Sequence, residues 1–146
     1  MFDTILVAVD ASAQRGGVLL HAAEITRRFS ARLHLVSVYD IGQLSEAKVP
    51  GPSPEIFETL AAESKRPLEE AQKELAAMGI RSQCHFLEGS VIEQIALLAQ
   101  SLEADLVVMG HRYVTGLRRL LGSSAAKGLI DRAPCSVLIV RDDKLV

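Results

Sequence analysis

Along this chain, unbroken apolar runs alternate with segments whose apolar residues recur every three or four positions. "TILVAVD" (Thr4–Asp10) is aliphatic and β-branched almost throughout, the pattern of a strand covered on both faces. In "AQRGGVLLHAAEITRRFS" the residues Val18, Ala22, Ile25 and Phe29 fall on one stripe, which predicts a helix. "LHLVSVYD" (Leu33–Asp40) predicts a second strand, and "IGQLSEAKVPGPSP" a loop marked by Pro50, Gly51, Pro52 and Pro54. A long helix is expected from about Glu55 to Met78, with Leu68, Ala71, Leu75 and Met78 on one face. Pro67 inside it predicts a kink, and Gly79 a C-terminal cap.

The alternation continues to the end. "RSQCHFLEG" reads as a third, more polar strand suited to a sheet edge. "SVIEQIALLAQSLE" reads as a helix whose Ser90 and Glu93 form a capping box. "DLVVMG" is the fourth strand, and a basic loop is expected after it. "SSAAKGLIDRA" is a helix stopped by Pro134, and "CSVLIV" is the last strand. The order βαβαβαβαβ predicts one α/β domain over residues 1–146, a parallel sheet with helices on both faces. Ligands of such sheets sit outside the carboxyl ends of the strands, where strand order reverses.

Composition narrows the function. With 49% hydrophobic residues, 23% charged and a net charge of -2, nothing suggests bulk nucleic-acid binding. No apolar run approaches the ~20 residues that span a bilayer. The N-terminus carries Asp3 and no basic segment, so it reads as a strand and not as a signal peptide. Cys84 and Cys135 are far apart and lack metal-ligand spacing; they read as reduced core thiols of a cytosolic protein.

Candidate chemistry gathers at the strand ends. Gly110 closes the fourth strand, either as a turn glycine or as a place where a ribose or phosphate approaches backbone with no Cβ in the way. Gly122, Ser123 and Ser124 open the last helix, either as an ordinary N-cap or as an anion site built from unpaired N–H groups and the helix dipole. Arg112, Arg118 and Arg119 lie between them, solvated or facing a phosphate. Asp10 ends the first strand, where it caps a helix or faces a ligand. Beside phosphates it implies an intervening Mg²⁺ or Mn²⁺, an indirect metal contact. GxxxxGK[ST] is missing, as is GxGxxG after the first strand, which excludes a P-loop protein and a dinucleotide dehydrogenase. The acidic pair, Asp and Lys of a phospho-receiver are missing too. His21, His34, His85 and His111 show no metal spacing or Ser/Asp partnership, and no catalytic residue stands out.

"ILVAVDAS", "EGSVIEQI", "ADLVVMGHR" and "LLGSSAAKGLIDRAPCSVLIVR" together resemble the universal stress proteins of the UspA superfamily, over essentially the whole chain. The resemblance implies a five-stranded parallel sheet in the order 3-2-1-4-5, with Asp10 and Gly110 facing one crevice, and a homodimer formed through the last strand. It also implies that the Gly42–Pro54 connection lies at the crevice mouth beside an adenine; its length and prolines argue for mobility. The family's nucleotide-binding branch carries G-x-x-G, nine residues, then G-[S/T]. Here Gly110 matches the first glycine, Tyr113 replaces the second, and Gly122 comes one residue early, followed by Ser123.

Carried over by position, Val9 and Asp10 would line the first-strand side and Val38 the adenine. Met109, Gly110 and Arg112 would flank ribose and phosphates, and Gly122, Ser123 and Ser124 would hold the phosphates. The implied function is a dimeric cytoplasmic stress-response or signalling protein that binds ATP, ADP or AMP at the carboxyl ends of the first and fourth strands, with an unidentified protein partner. Two alternatives stand beside it: an interaction module that has lost the nucleotide, with Tyr113 filling the pocket, and a slow ATPase or self-phosphorylating enzyme.

Overall fold

A computed structural model of the chain describes residues 1–11, 15–40, 54–121 and 125–141. The elements are β1 (Thr4–Ala8), α1 (Arg15–Phe29), β2 (Arg32–Tyr39), α2 (Pro54–Ala77), β3 (Gln83–Glu88), α3 (Val91–Ser101), β4 (Leu106–Gly110), α4 (His111–Leu121), α5 (Ala125–Arg132) and β5 (Ser136–Val140). All strand pairings are parallel and the sheet order is β3-β2-β1-β4-β5, as expected. The Gly42–Pro54 loop lies outside the described residues except for Pro54, the first residue of α2. Gly122, Ser123 and Ser124 lie outside them as well.

β1 is central, and its alternate residues feed two cores. Ile5 and Val7 pack with Leu35 against Val18, Leu19 and Ala22 of α1 and Leu68, Ala71 and Leu75 of α2. Leu6 and Ala8 pack with Val36, Val107 and Met109 against Ile92, Ile95 and Ala99 of α3, Tyr113, Val114 and Leu117 of α4, and Leu129 of α5. Burial on both faces explains why β1, β2 and β4 read as continuous apolar runs. β3 and β5 are the edges, and their side chains are largely half-buried.

The element ends follow from local chemistry. Gly79, at φ 77°, closes α2, with the Ile80 N–H donating to Leu75 O at 2.9 Å, a glycine cap of the Schellman kind. α2 runs on through Pro67. Proline has no N–H, so the Glu63 carbonyl loses its helical donor; at the next carbonyl, Ser64 O, the Ser37 hydroxyl donates from β2 at 3.1 Å. Ser90 does sit at the N-cap of α3 with extended backbone, but its hydroxyl makes no capping bond, so the capping box is not formed. At the amino-terminal rim one carboxylate oxygen of Asp105 accepts the N–H groups of Asp3 and Thr4 at 2.9 and 3.0 Å.

The largest departure from the sequence reading lies after β4. The basic loop expected there is the eleven-residue helix α4, which starts directly after Gly110. Its cause is the spacing of Tyr113, Val114 and Leu117, which are buried against the second core.

The fold also joins two residues that are 51 apart in the chain. His34 Nδ1 and His85 Nε2 lie 3.0 Å apart, one ring N–H donating to the other ring's lone pair, with centroids 5.2 Å apart. Burial, then the neighbouring His85 and Arg32, lower the pKa of His34; burial lowers that of His85. Unfolded histidine takes up a proton near pH 6.5, so below that pH the unfolded chain binds protons that the folded pair resists. Stability therefore falls as pH drops below about 6.5. Thermal melts between pH 7.5 and about 5.5 should show a steeper loss for the unmodified chain than for the His34→Gln/His85→Gln double variant. Parallel curves would exclude the pair as the cause.

Candidate functional site

Strand order reverses at β1, where β2 lies on one side and β4 on the other. A cleft of about 290 Å³ opens at the carboxyl ends, lined by residues that include Val9, Asp10, Ser37, Val38, Pro67 and Tyr113. Each wall has a local cause. Val9 is held by its N–H to Val36 O, 2.9 Å, which carries the β1–β2 ladder one residue past the strand. Ser37 and Val38 lie near the end of β2, on its opposite faces. α2 supplies Leu60, Glu63, Ser64 and Pro67, and the Ser64 hydroxyl is turned back onto Leu60 O at 2.8 Å. The cleft continues past Ala11, Glu63 and Pro67 into a groove of about 460 Å³. There Arg15 pairs with Glu70 at 2.8 Å and Glu74 at 3.4 Å.

Tyr113 forms the far wall. It is the third residue of α4 and is buried. Burial first, and the nearby charge of Asp10 second, push its phenol well above the ordinary range. Burial thus favours the protonated phenol, a neutral donor beside the carboxylate of Asp10.

Of the residues proposed from the sequence, Val9, Asp10 and Val38 come together in this cleft. Met109 does not: the strand alternation turns its side chain into the second core, where it is fully buried. Gly110 is buried at the end of β4, in register with Val140 of β5. Arg112 lies elsewhere. Because α4 is helical, Arg112 is carried to the outer face, into a separate cavity of about 460 Å³ that it shares with His111, Thr115, Gly116, Arg119 and Arg141. Arg118 is exposed. The α2 wall and Ser37 were not foreseen, because the apolar spacing of α2 announces only its core-facing stripe.

Both cysteines are free and half-buried, and burial raises their thiol pKa values. Among the described residues no group of three or more His, Cys, Asp or Glu could hold a metal ion. No described helix is long and apolar enough to cross a membrane.

A model of the universal stress protein family matches residues 1–141. The chain belongs to that family. A universal stress protein of Methanocaldococcus jannaschii is 30% identical to it over 144 residues, covering 99% of this chain and 85% of that protein. A solved universal stress protein of Burkholderia pseudomallei is 28% identical with a TM-score of 0.71, covering 95% of this chain and 96% of that one. A universal stress protein of Archaeoglobus fulgidus, solved in complex with dAMP, is 23% identical with a TM-score of 0.68, covering 95% and 98%; at that identity it shows the fold alone.

The phenol of Tyr113 has a measurable signature within this universal stress protein fold. Unfolded tyrosine ionises near pH 10, so the contribution of Tyr113 to stability should be level below about pH 10 and fall above it as the unfolded chain loses protons that Tyr113 keeps. Denaturant midpoints across that range should fall less for Tyr113→Phe than for the unmodified protein. An unchanged alkaline slope would mean that the phenol is not held as described.

Proposed function

We propose that the cleft at the ends of β1 and β2 binds an adenine nucleotide, ATP or one of its shorter relatives, as a ligand that sets the state of a dimeric regulator. The observation that carries this reading is the convergence of Val9, Asp10 and Val38 on one cleft at the point where strand order reverses. Apolar walls suit the faces of a base, and Asp10 and Ser37 supply hydrogen-bonding groups for its edge or for a ribose. The Archaeoglobus fulgidus relative solved with dAMP supports the choice of base. Gly122, Ser123 and Ser124 would supply phosphate donors, as an N-terminal anion site does.

Two carboxylates, Asp10 and Glu63, line the cleft. That is too few for a protein-only metal cage, but it fits Mg²⁺ arriving on the nucleotide and meeting one carboxylate, the usual way this ion is bound beside phosphates. Asp10 would hold it, and the ion would offset the repulsion between Asp10 and the phosphates.

One observation favours a second reading, in which the domain is an interaction module without nucleotide. A buried tyrosine in a helix stands where the nucleotide-binding branch has a glycine. The two readings give opposite results for Tyr113→Ala. If the ring is a wall of the site, calorimetry with ATP, ADP and AMP plus Mg²⁺ should show binding that weakens by roughly ten- to a hundredfold in the variant. If the ring blocks the site, binding should be absent in the unmodified chain and appear in the variant. Val38→Trp, which fills the cleft, should abolish binding in the first case. No binding to either protein at millimolar ligand would sink the nucleotide reading.

The homodimer belongs to the same proposal. β5 is an edge strand whose Val137, Leu138 and Ile139 are only half-buried, and a bare apolar edge is a liability that a two-fold mate would cover. Light scattering should find a dimer for the unmodified chain and a shift to monomer for Ile139→Asp. A monomer at tens of micromolar in the unmodified chain would refute it. A stress-response role in the cytoplasm, exercised through a further protein partner, completes the proposal.

A further inference from the structure

The outer face of α4 carries a second concave site that the nucleotide reading does not use. It has a volume of about 460 Å³ and is lined by His111, Arg112, Thr115, Gly116, Arg119 and Arg141. Three guanidiniums and an imidazole meet there in a chain whose net charge is -2, and no carboxylate among the described residues lines it. The face is fixed by helical geometry. At 100° per residue, His111, Arg112, Thr115, Gly116 and Arg119 share one side of α4, roughly opposite Tyr113, Val114 and Leu117. The full width of the helix therefore separates this cavity from the cleft that Tyr113 walls.

Gly116 adds an independent observation. A glycine inside a helix is about 1 kcal/mol less favourable than alanine. A Cβ built on Gly116 meets no atom within 4 Å, so no neighbour in the fold requires its absence. What the missing side chain leaves is open space on the floor of the cavity, between arginines above and below it on the helix.

We propose that this cavity is an anion site for a small ligand carrying two or more linked phosphate groups. Guanidinium forks match phosphate oxygens two at a time, and several such forks around one cavity favour a ligand with several oxyanions. The volume exceeds what a single orthophosphate needs. The Thr115 hydroxyl, whose proton is donated to His111 O at 3.0 Å, leaves an oxygen lone pair for a protonated phosphate or a bridging water. The phosphates could come from a free polyphosphate or from the tail of a nucleotide; the recognition chemistry is the same.

Tripolyphosphate is the probe. Calorimetry at low salt should show it binding the unmodified protein, with affinity falling as salt rises. Arg119→Gln and Arg141→Gln should each weaken it by roughly ten- to a hundredfold. Gly116→Leu should abolish binding while leaving the melting temperature equal or higher, because leucine is the better helix former; loss of binding there cannot be put down to misfolding. AMP binding in the cleft should be unaffected by all three variants. If ATP but not tripolyphosphate loses affinity in Arg119→Gln and Arg141→Gln, the free-polyphosphate source is refuted and the nucleotide tail is the ligand. If neither ligand responds to any of the three variants, or if tripolyphosphate and ATP both fail to bind at millimolar concentration, the site does not exist.

Discussion

β1 is hydrogen-bonded on both sides, to β2 and to β4, and Ile5, Leu6 and Val7 have no solvent exposure at all. That double constraint sets everything around it. A strand with both backbone edges paired and both faces covered cannot shift by one residue without exchanging its two cores. The chain must leave β1 at Val9 and Asp10 in a fixed direction. Because β2 and β4 depart to opposite sides, the connections on either side separate there, and the cleft is the space they leave. The site is a by-product of topology, and its specificity depends on which side chains the neighbouring elements put into that space.

Those neighbours are α2 and α4, and each presents a departure from an ideal helix or loop. α2 carries a proline in its interior, and the Ser37 hydroxyl of β2 reaches the adjacent carbonyl, Ser64 O. The helix is thus fastened to the sheet next to the residue that weakens it. α4 follows β4 without a connecting residue, so Tyr113 is placed by the phase of the helix and not by loop conformation. A tyrosine ring held in this way is a rigid surface. Its neutral phenol beside Asp10 gives the cleft one donor and one anionic acceptor side by side.

Much of this was readable in the chain. The strands of the sheet centre announce themselves as apolar runs because they are covered twice, and β3 betrays its edge position by its polarity. The 3-2-1-4-5 order came from family resemblance, since periodicity alone does not order parallel strands. Val9, Asp10 and Val38 come together because they lie at or just past the carboxyl ends of adjacent strands. Met109 is turned into the second core by the alternation of β4, whereas Arg112 lies on the outer face because the segment after β4 is a helix, in which Tyr113, Val114, Leu117, Leu120 and Leu121 recur at helical spacing. That spacing was the available signal. The His34–His85 pair had none: two histidines 51 residues apart become neighbours only through the β2–β3 register.

Asp105 ties the amino-terminal rim of the sheet together. Its carboxylate accepts the N–H groups of Asp3 and Thr4 and its own N–H donates to Thr4 O at 2.8 Å, so the short link from α3 to β4 is also a clamp on the start of β1. A residue inserted there would draw the carboxylate away and leave the two donors to water. Length variation in this link is therefore costly, and a domain grafted into this fold, or a new terminus cut into it, is badly placed between α3 and β4.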